Sequence, residues 1–121
     1  MQVMTTLPQE NLNDVPRAAR NAEMVGFDMV ATMENRYEPF MPLAAAAIST
    51  KTINIGTAVA IAFPRSPMVV ASTCWDLNNA SGGRFVLGLG PQIKPHNEKR
   101  FSVTWSPPAP RIREYVMSSY L

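Results

Sequence analysis

The chain has a single cysteine, Cys74, so no disulfide can form within it; this agrees with a reducing compartment, and the expected location is the cytoplasm. No apolar stretch approaches the roughly 18 residues that a membrane span requires. The richest one, Ile53 to Phe63, is too short and is interrupted by Asn54, Gly56 and Thr57, so no membrane association is expected. The N-terminus shows neither a basic leader nor the apolar core of a signal peptide.

Several chemical signatures are also missing. No Cys and His residues stand at metal-ligand spacing, and there is no Gly-Lys-Ser/Thr phosphate loop and no nucleophile elbow. Gly88-Leu89-Gly90 does not complete a dinucleotide fingerprint, because Ile93 occupies the third glycine position. The net charge of +2 and the pI near 9.0 come from scattered Lys and Arg. Only Lys94, Lys99 and Arg100 approach a cluster, too little for a nucleic-acid footprint, and no nucleic-acid partner is expected. The eight methionines read as adaptable core filler.

What the chain does have is a repeat of strand and helix. Gln2–Leu7 is a short β-prone segment stopped by Pro8. Asp14 then reads as a helix cap, with Pro16 in the first turn, an apolar stripe of Val15, Ala18, Ala19, Ala22 and Val25, and Gly26 as the stop. Phe27–Met33 reads as the second strand, and Glu38-Pro39 opens a second helix with Leu43, Ala44, Ala47 and Ile48 inward. Ile53–Phe63, rich in β-branched residues, is the third strand. Ser66-Pro67 caps and starts a third helix that runs through Val69, Val70, Thr73, Cys74 and Leu77 to Ser81-Gly82-Gly83. The fourth strand is Arg84–Leu89, followed by an irregular polar segment from Pro91 to Pro108. A last helix begins near Ala109-Pro110 and carries Ile112, Tyr115 and Val116.

Strands alternating with helices imply parallel pairing through right-handed crossovers. Four such units in 121 residues match the repeat length of a (β/α)₈ barrel, which needs about 250 residues. The expected fold is therefore α/β: one partial barrel domain over residues 1–121, the N-terminal half of a TIM barrel, truncated. A complete four-stranded doubly wound domain, binding nucleotides as a monomer, is the competing architecture. Ligands in either fold gather at the carboxyl ends of the strands. Gly88 and Gly90 close the last strand there, and their missing side chains serve either a ligand or close strand packing.

Taken together, Ala18-Ala19-Arg20-Asn21-Ala22-Glu23-Met24-Val25-Gly26-Phe27-Asp28, Ile55-Gly56-Thr57-Ala58-Val59-Ala60, Arg65-Ser66-Pro67-Met68, Gly82-Gly83-Arg84-Phe85-Val86-Leu87-Gly88-Leu89-Gly90 and Trp105-Ser106-Pro107-Pro108 into the last helix resemble the luciferase-like monooxygenase superfamily. The likeness is strongest to its deazaflavin-dependent oxidoreductases, which use coenzyme F(420). It implies hydride transfer between the deazaflavin ring and a small organic substrate, with an FMN-dependent monooxygenase as the alternative. It also implies that strand ends line the ring. Ala58 and Val59 would support it across a non-prolyl cis peptide, with an ordinary trans strand as the alternative. Gly88, Leu89 and Gly90 would pass beside it, and Gln92 would stand where some relatives place a catalytic glutamate. An amide there supplies no general acid or base.

The resemblance leaves two candidate polar actors. Glu34 follows the second strand, where relatives carry an acidic residue or histidine near the reacting carbon; otherwise it caps the Pro39 helix or meets Arg36. His96 faces substrate from the polar loop or is simply solvated. A half barrel leaves open sheet edges and half a ring-binding cleft. The chain alone is thus expected to be inactive, and a folded chain is expected to cover its edges by homo-oligomerisation.

Overall fold

Pro16 pre-sets the first turn of helix α1 (Val15–Val25), and Gly26 ends it in the left-handed conformation, at φ 104°, that only glycine adopts freely. The computed structural model describes residues 1–119; Tyr120 and Leu121, at the end of the expected last helix, lie outside the described residues. Asp14 makes no side-chain cap. A single 3₁₀ turn, Leu12–Asp14, precedes the helix and is itself capped by Asn11, whose side-chain oxygen accepts from Asn13 N at 3.0 Å. That turn holds Asp14 at helical dihedrals, whereas a capping side chain needs an extended backbone.

The strands follow the expected alternation. Strands β1 (Met4–Thr6), β2 (Met29–Thr32) and β3 (Asn54–Thr57) pair in parallel, and β3 pairs in turn with β5 (Phe85–Val86). A second parallel pair joins β4 (Ala60–Ile61) to β6 (Leu89–Gly90). Helix α2 (Phe40–Ser49) links β2 to β3, and α3 (Pro67–Ala80) links β4 to β5. Spatial order therefore repeats chain order. A doubly wound sheet would reverse its order at a switch point; this sheet does not, and the chain forms an arc of a TIM barrel.

The third and fourth predicted strands each break in two. Between β3 and β4 the Ala58-Val59 peptide is cis, as the family resemblance implies. Beside it the Thr57 hydroxyl stands in for a ladder bond, donating to Gly88 O at 2.7 Å and accepting from Gly88 N at 2.9 Å. Pairing resumes with Ala60 N donating to Gly88 O and Ala62 N donating to Gly90 O.

The pleat divides the sheet into two faces. Val30 and Ile55 point to the helices and are fully buried with Val15, Ala19, Leu43, Ala46, Val70 and Leu77. The other face carries Met4, Met29 and Val86 around Gly56, which has no room for a side chain between Met29 and Val86. Met4 and Val86 remain about half exposed on this inner wall. Leu43 and Ala47 are buried as expected, but Ala44 and Ile48 face solvent and Phe40 and Ala46 take their place. A run of alanines offers no hydrophobic contrast, so the buried side of α2 is decided by Phe40 and Leu43. Val25 and Val69 are likewise exposed, and Ser66 makes no side-chain cap. No helix among the described residues is long and apolar enough to cross a membrane.

After β6 the chain is ordered around Asn97, which is fully buried in a π-helical turn, His96–Arg100. Its side-chain amide nitrogen donates to Pro91 O and Ile93 O, and its backbone carbonyl accepts from Val103 N. Helix α4 (Pro108–Ser118) then returns to α3, with Tyr115 edge-on to Phe63 at a ring separation of 6.5 Å. Val116, expected on the inner side with Ile112 and Tyr115, is exposed.

Two charged side chains tie the repeats together. Glu23 on α1 accepts from three consecutive backbone amides, Lys51, Thr52 and Ile53, and from the Thr52 hydroxyl, all at 2.7–3.1 Å. The Thr52 amide, joined by those of Ile53 and Lys51 against the opposing effect of burial, pulls the Glu23 carboxyl down to about 2. Arg84 lies beneath the end of α2, where its guanidinium reaches the carbonyls of Ala47, Thr50 and Ile53, the Thr50 hydroxyl and Ser81 O. Ala47, Thr50 and Ser81 lie at helix ends, whose carbonyls a helix leaves unpaired.

A carboxyl whose pKa is lowered by folding stabilises above its unfolded value and loses that effect as it is protonated. Urea denaturation should therefore show stability falling between pH 4.5 and about 2, with Glu23→Gln flattening that part of the profile. Arg84→Met keeps the apolar stem but strands several carbonyls. It should cost about 2 kcal/mol of unfolding free energy, read at pH 7 by the same assay.

Candidate functional site

The carboxyl ends of β2, β4 and β6 converge on a cleft of about 240 Å³. Glu34, Ala58, Val59, Gly90 and Gln92 line it, with Met33 and Pro91 at its margin. Five of the eight residues expected from the sequence thus share one wall. Val59, directly after the cis peptide, is 44% exposed although its neighbour Ala60 is fully buried, so its side chain forms the open floor of the cleft.

Glu34 is 8% exposed, and its carboxylate is held from two sides. Oε1 accepts from Ile61 N at 2.6 Å and from Arg65 Nη1 at 2.6 Å, while Oε2 accepts from Arg65 Nη2 at 2.8 Å. Its partner is therefore Arg65, not Arg36, and the cap on α2 comes instead from Glu38, whose Oε2 accepts from Met41 N. Burial alone would lower the pKa of the Arg65 guanidinium, but the Glu34 hydrogen bonds and charge outweigh it and hold the group above its usual value. Arg65 is not among the residues expected from the sequence, and it enters only as the partner of Glu34. The pairing spans 31 positions, and no local spacing announces it.

The glycines divide by role. A side chain at Gly88 would run into the backbone carbonyl of Thr57, so its bareness serves strand packing, and Gly88 does not line the cleft. A Cβ at Gly90 would lie 2.6 Å from Val59 Cγ2, which means Gly90 makes room for the residue on the cleft floor. Leu89 packs half-buried against the core rather than into the cleft. Gln92 lines the cleft with a positive φ of 57°, its side-chain oxygen accepting from Ile93 N. His96 stands apart on the π-helical turn, exposed beside Lys99 and Arg100, and is not brought to Glu34. Its loop is held around Asn97, which turns the histidine outward.

A larger groove, about 410 Å³, runs between α3 and β5 past Val70, Cys74, Trp75, Phe85 and Leu87. It lies on the helix side of the sheet edge at β5, where the next β/α unit of a closed barrel packs, and its lining is mostly apolar, with Asn78 and Ser119 as its polar members. Burial pushes the Cys74 thiol up to about 11, so it offers no thiolate there.

The luciferase-like monooxygenase family matches residues 1–118, and the chain belongs to that family. An uncharacterised protein of Mycobacterium tuberculosis is 50% identical over 107 residues, which is 86% of this chain and 32% of that protein. A 5,10-methylenetetrahydromethanopterin reductase of Archaeoglobus fulgidus is 37% identical over 97 residues, 78% of this chain and 29% of the reductase. The chain thus spans about a third of the length of the curated relatives it matches.

Among solved structures, the coenzyme F(420)-dependent tetrahydromethanopterin reductase of Methanopyrus kandleri superposes with a TM-score of 0.83 at 24% identity, over 98% of this chain and 39% of that one. The FMN-bound oxygenating component of 3,6-diketocamphane monooxygenase from Pseudomonas putida gives 0.82 at 18% identity, over 98% and 38%. Both share the barrel fold.

The two glycines should separate under mutation. Gly88→Ala drives a methyl into fixed backbone and should destabilise by about 1–3 kcal/mol in chemical denaturation. Gly90→Ala meets only a side chain and should cost less stability while displacing Val59, seen as a shift of its methyl resonances.

Proposed function

We propose that this chain supplies one wall of a coenzyme F(420) site in an oxidoreductase that moves hydride between the deazaflavin ring and a small organic substrate. The observation that carries this reading is Val59: an apolar side chain held open at the strand ends, with Gly90 keeping the space beside it clear. A flat ring fits such a ledge, since one face needs apolar contact and the approach of backbone without side chains. The coenzyme supplies the hydride chemistry when bound. Val59 and Ala58 would support the ring face, Gly90 would let it sit close to β6, and Gln92 with Asn35 would offer neutral amides at its edge.

The coenzyme F(420)-dependent reductase of the same fold favours the deazaflavin. An FMN-dependent monooxygenase is the second reading, favoured by the FMN-bound neighbour of the same fold.

Titration of the purified chain with coenzyme F(420) and with FMN, followed by cofactor fluorescence, tests both. Saturable deazaflavin binding at micromolar concentration, with FMN much weaker, is the expected outcome. Tighter FMN binding would move the chain to the monooxygenase reading. A folded chain that binds neither would sink both.

A further inference from the structure

We propose that Glu34 and Arg65 act together as a positioning pair for the coenzyme ledge, with Glu34 serving as a structural acceptor and not as a proton donor. The proposal rests on the coenzyme-binding reading above.

Residue 34 grips the ledge twice. Its backbone N–H donates to Val59 O at 3.2 Å, and its carboxylate takes the Ile61 N–H, so the two contacts bracket Ala60. Arg65 closes the other side, donating to Ile61 O at 2.8 Å as well as to both carboxylate oxygens. The ledge residue Val59 is thereby fixed between β2 and the loop that enters α3. Arg65 is itself placed by the Phe40 ring, 5.3 Å from its guanidinium carbon, and by Glu38 at 3.6 Å. The pair is well shielded, with side-chain exposures of 6% for Glu34 and 19% for Arg65.

A bidentate guanidinium matches a carboxylate in geometry as well as charge, and so fixes orientation more tightly than a single contact can. Both carboxylate oxygens of Glu34 are already engaged as acceptors, by Arg65 and the Ile61 amide. Glu34 is also the one titratable side chain among the described residues that line the cleft. The wall built by this chain therefore orients the ring without acid–base chemistry of its own.

Removing one partner leaves a buried charge and can unfold a protein, whereas replacing both by apolar residues of similar size is often tolerated. The test therefore uses the double variant Glu34→Met/Arg65→Met alongside Glu34→Gln. Thermal unfolding, backbone amide exchange and deazaflavin titration are read on the same samples. The double variant should melt near the wild type while its Ile61 amide exchanges about tenfold faster or more. Its affinity for coenzyme F(420), and that of Glu34→Gln, should fall about tenfold or more because the ledge is no longer fixed.

Unchanged Ile61 exchange in the folded double variant would overturn the proposal. So would wild-type affinity in either variant, since the pair would then be packing without a role in binding. Should the wild type bind neither coenzyme, the proposed function fails, and the Ile61 exchange still decides whether the pair holds the ledge.

Discussion

The contact between Thr57 and Gly88 governs the geometry of everything beyond it. Gly88 approaches the Thr57 carbonyl so closely that no other residue fits, and the Thr57 hydroxyl bonds both the N–H and the carbonyl of Gly88, sharing the carbonyl with Ala60 N. The main sheet ends at this junction and a second parallel pair begins one step further along the same two chain segments. Val59 projects into the cleft because the strand is interrupted there. A continuous ladder would have buried it or turned it away.

The cleft is built by backbone placement more than by reactive side chains. Val59 offers an apolar floor, Gly90 an unobstructed flank and Gln92 a neutral amide, while the buried charge of Glu34 is spent on Arg65 and Ile61. Such a wall suits a group that brings its own chemistry, and neighbours of the same fold include an F(420)-dependent reductase and an FMN-bound monooxygenase component. Charge has a second structural use at the opposite end of the arc. Glu23 and Arg84 satisfy amides and carbonyls around the α2–β3 loop, which is thereby tied to α1 on one side and to the start of β5 on the other.

Much of the fold was legible in the sequence because its signals are local. Pro16, Gly26, Pro67 and the Gly82-Gly83 break mark helix limits through backbone dihedrals, which act within a few residues. The β-branched run at Ile53 and the apolar run at Phe85 mark strands for the same reason, and the repeat length pointed to a barrel. Where contrast was lacking, the reading slipped. The alanines of α2 do not say which side is inward, and Asp14 looks like a cap until the preceding turn fixes its backbone.

The sequence by itself thus determined the alternation of strands and helices, the family, and the strand ends at which the candidate site lies. Tertiary structure alone decided the partners. It joined Glu34 to Arg65 across 31 positions, separated His96 from the cleft, and assigned Gly88 to packing and Gly90 to the cleft wall. The reason is that dihedral preference and periodicity are properties of neighbouring residues. Which side chain meets which across a parallel sheet depends instead on register and crossover, and these exist only once the chain has folded.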